Sequence, residues 1–563
     1  MMTFSRFFAL VLAAGLAAAP GVGHGAEGAG AGMTLLRNAR IHTFDAQNRS
    51  YPDGALAIAA SGRIARVGAD ADLAAALPDA NQIDLAGATV LPGLIDSHGH
   101  LYGLAQSFTQ ADLTGSASKV EVLERLRAFA DRLPPDAWLL GRGWDQNDWP
   151  ETVFPDRADL DAEFPDRPVW LRRIDGHAGW ANGAALARAD RDLAGDWQET
   201  GGHVYRDTNG QPTGILVDGA MAHIERAVPA TPDALIDAAL DHAMAQMLRL
   251  GLTAVHDPGV GLDVIRLYRK KIAAGEFPVR VYAMADGAGE TLEWLCANGP
   301  LDDSSGHLVM RSVKLYADGA LGSRGAALLA DYSDDPGNSG LLFLDDATLE
   351  AQLRRVFDCG LQAGVHAIGD RANRQVLDAY AKLIPQHPGN PGRHRVEHAQ
   401  ILAPADLPRF AALGVIAAMQ PTHATSDMGW ADERLGPKRL AGAYAWNSLL
   451  RSGARLAFGS DFPVEAVDPM LGIHAAVTRQ DRAGRPDGGW LPAERISRIQ
   501  ALRAFTIDAA WAGFMEQEVG SLEAGKQADL VVLDRDIMQV PDDEIPSVRA
   551  VQTWIGGKRV FMR

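Results

Sequence analysis

Eight short apolar runs, each followed by loop residues and then a stretch with helical spacing, organise the middle of this chain. They fall at residues 90–96, 253–257, 279–285, 312–317, 362–368, 395–398, 415–419 and 456–460. Strands alternating with helices mean βα units and a parallel sheet, and eight such units are the number that closes a TIM (β/α)8 barrel. The fold class expected is therefore α/β, with the barrel over 92–514. The interval between the first two runs is too long for one helix. It reads as a large insertion, about 120–245, with strands of its own near 138–140 and 169–171. Both ends of the chain alternate polar and apolar residues with frequent turns. Residues 33–91 and 515–563 are accordingly expected to build one small β-sandwich together. Near the C-terminus, Gly556 and Gly557 mark a tight hairpin, whose two central positions need positive φ.

Charge and cysteine content narrow the partners. With 53 Lys+Arg against 71 Asp+Glu, the net charge of −18 argues against a nucleic-acid backbone or an anionic membrane as the main partner. Cys296 and Cys359 allow at most one disulfide and no cysteine-based metal site. At the start, Arg6, the apolar run 7–19, Pro20 and small residues have the layout of a secretory signal over 1–26, followed by a Gly/Ala linker at 27–32. The run is too short to span a bilayer, so the expectation is an exported, periplasmic protein that is free of the membrane after signal cleavage. A homo-oligomer stays open.

Strand ends carry the chemistry. In a barrel, catalytic groups gather at the C-terminal ends of strands. The first run ends in PGLIDSHGH with His98 and His100, the fourth holds Lys314, the fifth ends at His366, the sixth at His398 and the eighth at Asp461. Residues two apart on an extended strand point to one side, so His98 and His100 can share an ion. With His366, His398 and Asp461 they form an N/O set for one or two divalent ions, zinc foremost, with manganese, iron, cobalt and nickel also compatible. An ammonium at Lys314 would be repelled by such ions. Carboxylation of its amine by CO2 would turn it into an anionic bridge.

This pattern, with VKLYADGALGSRGA, GVHAIGDRA, VEHAQ, GSDFPV and the tail GSLEAGKQADLVVLD, resembles the amidohydrolase superfamily. Within it the chain is most similar to the N-substituted formamide deformylases and YtcJ-like amidohydrolases. The resemblance implies that His98, His100 and Asp461 hold the more buried metal and His366 and His398 the more exposed one, bridged by carboxylated Lys314. It implies hydrolysis of a non-peptide C–N bond in a small molecule by metal-activated hydroxide, with Asp461 shuttling the proton to the leaving nitrogen. His177, in DGHAGWAN, is a second catalytic candidate, as a ligand for a carbonyl oxygen. Trp144, Asp145, Asp318, Arg324, His256 and His423 are pocket candidates, with Arg324 suited to a substrate carboxylate; each also admits a packing or salt-bridge role. Two other functions fit the same residues: a metal-dependent lactonase or esterase, and a periplasmic binding protein without turnover.

Overall fold

The computed structural model describes residue 30 and residues 32–563; the expected signal and most of the linker lie outside the described residues. Eight parallel strands form the barrel, in the order Leu94–Asp96, Leu252–Val260, Arg280–Asp286, Leu308–Tyr316, Gln362–Ala367, Arg395–His398, Ile416–Met419 and Arg455–Phe458. The seam between first and last is closed by Ser97 N–H donating to Phe458 O at 2.9 Å and Asp461 N–H donating to His98 O at 2.6 Å. Period-two alternation sorts the third strand's side chains. Val281, Ala283 and Ala285 join the large cluster shared with the helices, while Tyr282 and Met284 pack with Ile95, Ala254, Ala509, Ala510 and Met515.

The first apolar run is split, where the sequence suggested one strand over 90–96. Thr89–Pro92 pairs antiparallel with Leu530–Leu533, whereas Leu94–Asp96 pairs with the second barrel strand. Pro92 brings no N–H, and a Cβ at Gly93 would lie 2.3 Å from Thr253 Oγ1. Only glycine fits where the chain passes from one sheet to the other.

The chain ends meet in one eight-stranded sheet in which Thr34–His42, Ser50–Ile58 and Thr89–Pro92 are joined to Leu530–Leu533, Ala550–Ile555 and Lys558–Met562. Gly556 and Gly557, at φ 55° and 75°, make its last hairpin. A six-stranded sheet between Ala111 and Asp218 forms the insertion around its own core of Trp144, Trp149 and Trp180. Cys296 and Cys359 are disulfide-bonded. No helix among the described residues is long and apolar enough to cross a membrane.

Candidate metal centre

His98, His398 and Asp461 offer ligand atoms within 4.8 Å of one another, and all three are buried. His398 ends barrel strand six, and His98 and Asp461 stand on the loops just after strands one and eight. His398 and Asp461 hold positive φ, 73° and 62°, a costly backbone for residues with a Cβ that is often stored at functional sites. Around them, ring centroids lie 4.6 Å apart for His366 and His398 and 5.6 Å for His98 and His100.

Oxygens behind the rings fix their tautomers. His98 Nδ1 faces Glu397 Oε2 at 2.5 Å, His100 Nδ1 faces Pro258 O at 3.1 Å and His398 Nδ1 faces Gln420 Oε1 at 2.8 Å. An acceptor at Nδ1 requires the proton there and leaves Nε2 as a lone pair. Burial keeps His98, His366 and His398 neutral, pushing His98 down to about 4 and holding His366 and His398 well below the usual range. Asp461 Oδ1 lies 3.1 Å from His100 Nε2 and 3.7 Å from His98 Nε2, yet has no hydrogen-bond partner among the described residues. Lys314 Nζ, 3.2 Å from His98 Nε2, is the neighbouring donor, and burial brings its ammonium down to about 8. Lone pairs converging on a buried anionic oxygen repel one another unless a cation lies between them. The residues therefore fit a divalent ion with N/O ligands.

Behind His98 stands a buried charge pair. Arg395 Nη2 donates to Glu397 Oε2 at 2.8 Å and to Ser97 O at 2.7 Å. Burial opposes the Glu397 charge, but Arg395 and His98 outweigh it and hold the carboxyl at about 2.

A cavity of about 590 Å³ opens onto this cluster, walled by the barrel mouth on one side and the inserted sheet on the other. A family model described as the amidohydrolase family matches residues 81–561. The chain belongs to the amidohydrolase family. It is 35% identical over 498 residues to the putative amidohydrolase YtcJ of Bacillus subtilis (strain 168), covering 86% of this chain and 91% of that protein. It is 30% identical to the N-substituted formamide deformylase of Arthrobacter pascens, over 93% of this chain and 97% of that one. Among solved structures, an uncharacterized metal-dependent hydrolase from Pyrococcus horikoshii OT3 superposes with a TM-score of 0.73 at 27% identity, covering 91% of this chain and 99% of its own.

Not every residue singled out in the sequence of this amidohydrolase reaches the cavity. His177, Asp145 and His423 line it together with His366, His398 and Asp461, and His100 and Lys314 line an adjoining recess. The tightest ligand group takes one histidine from each of the two expected sets, His98 and His398. Four pocket candidates line neither the cavity nor the recess. Trp144 is fully buried in the insertion core, its indole donating to Leu171 O at 2.9 Å. Asp318 is buried and accepts the backbone N–H groups of Ile368, Gly369 and Ala327, so it shapes the loop after strand five. Arg324 is taken up by Asp334 at 2.9 Å. His256 lies inside the barrel against Arg395 Nη1 at 2.8 Å.

Other residues had no role from sequence. Asp218 accepts from His177 Nδ1 at 2.6 Å and, with Glu397 and Gln420, orients an imidazole from behind. Glu397 carried a signal: Arg395 and Glu397 are two apart on one strand and share a face. Asp218 and Gln420 carried none, because their partners are distant in sequence.

Proposed function

We propose that this amidohydrolase cleaves the C–N bond of a non-peptide amide or N-formyl-type small molecule. The observation that carries the reading is the convergence of His98, His398 and Asp461, with Asp461 Oδ1 buried and unpartnered among the described residues. His98, His100, His366, His398 and Asp461 would hold the ion or ions, zinc foremost, with Lys314 carboxylated between them. A divalent ion there supplies Lewis-acid polarisation of a carbonyl and lowers the pKa of water. Asp461 Oδ1 then takes a proton from the attacking water and delivers it to the leaving nitrogen. An amine leaves poorly until it is protonated, so this transfer matters most for amides. Burial opposes protonation of His177, but Asp218 outweighs it and raises its pKa, so the imidazolium offers an Nε2–H to the substrate carbonyl oxygen, where negative charge grows. The name of the Arthrobacter pascens relative, an N-substituted formamide deformylase, supports a formyl or similar acyl group. The cavity volume suits a small molecule. The Cys296–Cys359 disulfide supports an oxidising, exported location.

The test is a screen of purified protein against N-formyl and N-acyl amines beside matched esters, with metal content measured on the same sample. Amide turnover that stops with a chelator and returns with a divalent ion is expected. Asp461→Asn should lower kcat by about 10²–10⁴-fold. Cleavage of esters alone would replace this reading with the esterase one. A metal-loaded protein that turns over neither would leave the binding protein.

A further inference from the structure

Arg142 lines the cavity without an ion-pair partner among the described residues. It stands on the inserted strand Leu139–Trp144, half-buried, and lines both the main cavity and the adjoining recess along with His177, His366, His398 and Asp461. Its guanidinium packs against Gly176, the residue before His177. A Cβ there would meet Nη1 at 3.5 Å, and the φ of +77° itself calls for glycine. Of its five N–H groups, the one side-chain hydrogen bond found among the described residues runs from Nη2 to Ile174 O at 3.0 Å. Nε is buried without a partner.

Neighbouring charges are already spoken for. Arg173 takes Asp145 and holds Asp175 at 2.6 Å, and Arg172 takes Glu225 at 3.2 Å. Arg324, the sequence candidate for a substrate carboxylate, is paired with Asp334. Arg482, also on the wall, is exposed to water. Across the cavity, Asp427 accepts from Tyr444 and Glu465 accepts from Ser426, and burial raises both, Asp427 to about 7. Burial likewise lowers Arg142 to about 10. A guanidinium that has shed water with no carboxylate at ion-pair distance among the described residues, and only the more distant Asp461 and Asp175 to offset it, is costly. Its planar fork matches a carboxylate.

We infer that Arg142 receives a carboxylate on the substrate, so that the preferred substrates are anionic N-acyl or N-formyl amines carrying an acid beside the scissile group. This rests on the C–N reading for what happens at the metal, but recognition is tested separately from cleavage. The probes are a series of N-formyl amino acids, each beside the matching N-formyl amine that lacks the carboxylate. Binding to the metal-loaded full chain is measured by calorimetry at a temperature and time where turnover is negligible, and hydrolysis in a second assay. The carboxylate members should bind about 10–100-fold tighter than their neutral partners. Arg142→Gln should erase most of that ratio, and Arg142→Lys should restore part of it. Equal binding of the two series, or a preference that survives Arg142→Gln, overturns the inference even if both series are hydrolysed. A preference lost in Arg142→Gln with no hydrolysis of either series would support it and remove the C–N reading instead. Circular dichroism confirms that each variant is folded.

Discussion

Glu397 shows how one side chain acts through another. Its carboxylate sits behind His98 at 2.5 Å and beside Arg395 at 2.8 Å, so it fixes the ring's tautomer and raises its basicity toward an ion. Replacing it with glutamine keeps the shape but lets an amide N–H face the imidazole, and leaves Arg395 without its counter-charge. Glu397→Gln is expected to weaken divalent-ion affinity about 10–100-fold, measured by competition with a chromophoric chelator. Unaltered affinity would mean that the tautomer is set elsewhere. The same logic explains what the sequence could and could not reveal at this scale. The candidate ligand histidines are legible because they stand at strand ends in short motifs. Their braces Gln420 and Asp218 are ordinary residues until the fold brings them within 2.8 Å and 2.6 Å of a ring.

At the scale of elements, His394 ties strand five to strand six. Its Nδ1 accepts the Ala363 N–H at 3.1 Å, and its ring stacks on Phe357 at 4.0 Å. Burial pushes it down to about 3, against about 6.5 in an unfolded chain. The unfolded state therefore binds the extra proton between those values. Its contribution to stability is complete above about pH 6.5 and is lost as pH falls toward 3, at up to about 1.4 kcal/mol per pH unit. His394→Asn keeps an acceptor but does not titrate. Its urea midpoint should fall less steeply than the wild type's between pH 6.5 and 4.5, and parallel profiles would refute the assignment. Elements were the most legible level of this chain: a short apolar run marks every barrel strand. Strand one was misread as continuous because periodicity cannot see the steric break at Gly93, set by Thr253 across the sheet.

For the whole molecule, the terminal sheet is locked to the barrel by buried polar contacts. Arg280, on barrel strand three, makes a two-pronged pair with Asp529, Nε to Oδ2 at 2.6 Å and Nη2 to Oδ1 at 3.0 Å. Asp529 also accepts the Gly556 N–H at 2.8 Å, and Thr553 Oγ1 donates to Leu248 O at 2.7 Å. Asp529→Ala strands a buried guanidinium and should cost about 3–5 kcal/mol in urea unfolding. Sheet and barrel should still lose structure in one transition. Separate transitions would show that the sheet is an independent unit. The inserted sheet stands in a different relation to the rest. It supplies Arg142 and His177 to a cavity whose candidate ion ligands stand on barrel strands or on the loops just after them. On the proposed reading, appetite for new compounds would be retuned by altering residues 111–218, while the hydrolytic apparatus is inherited untouched.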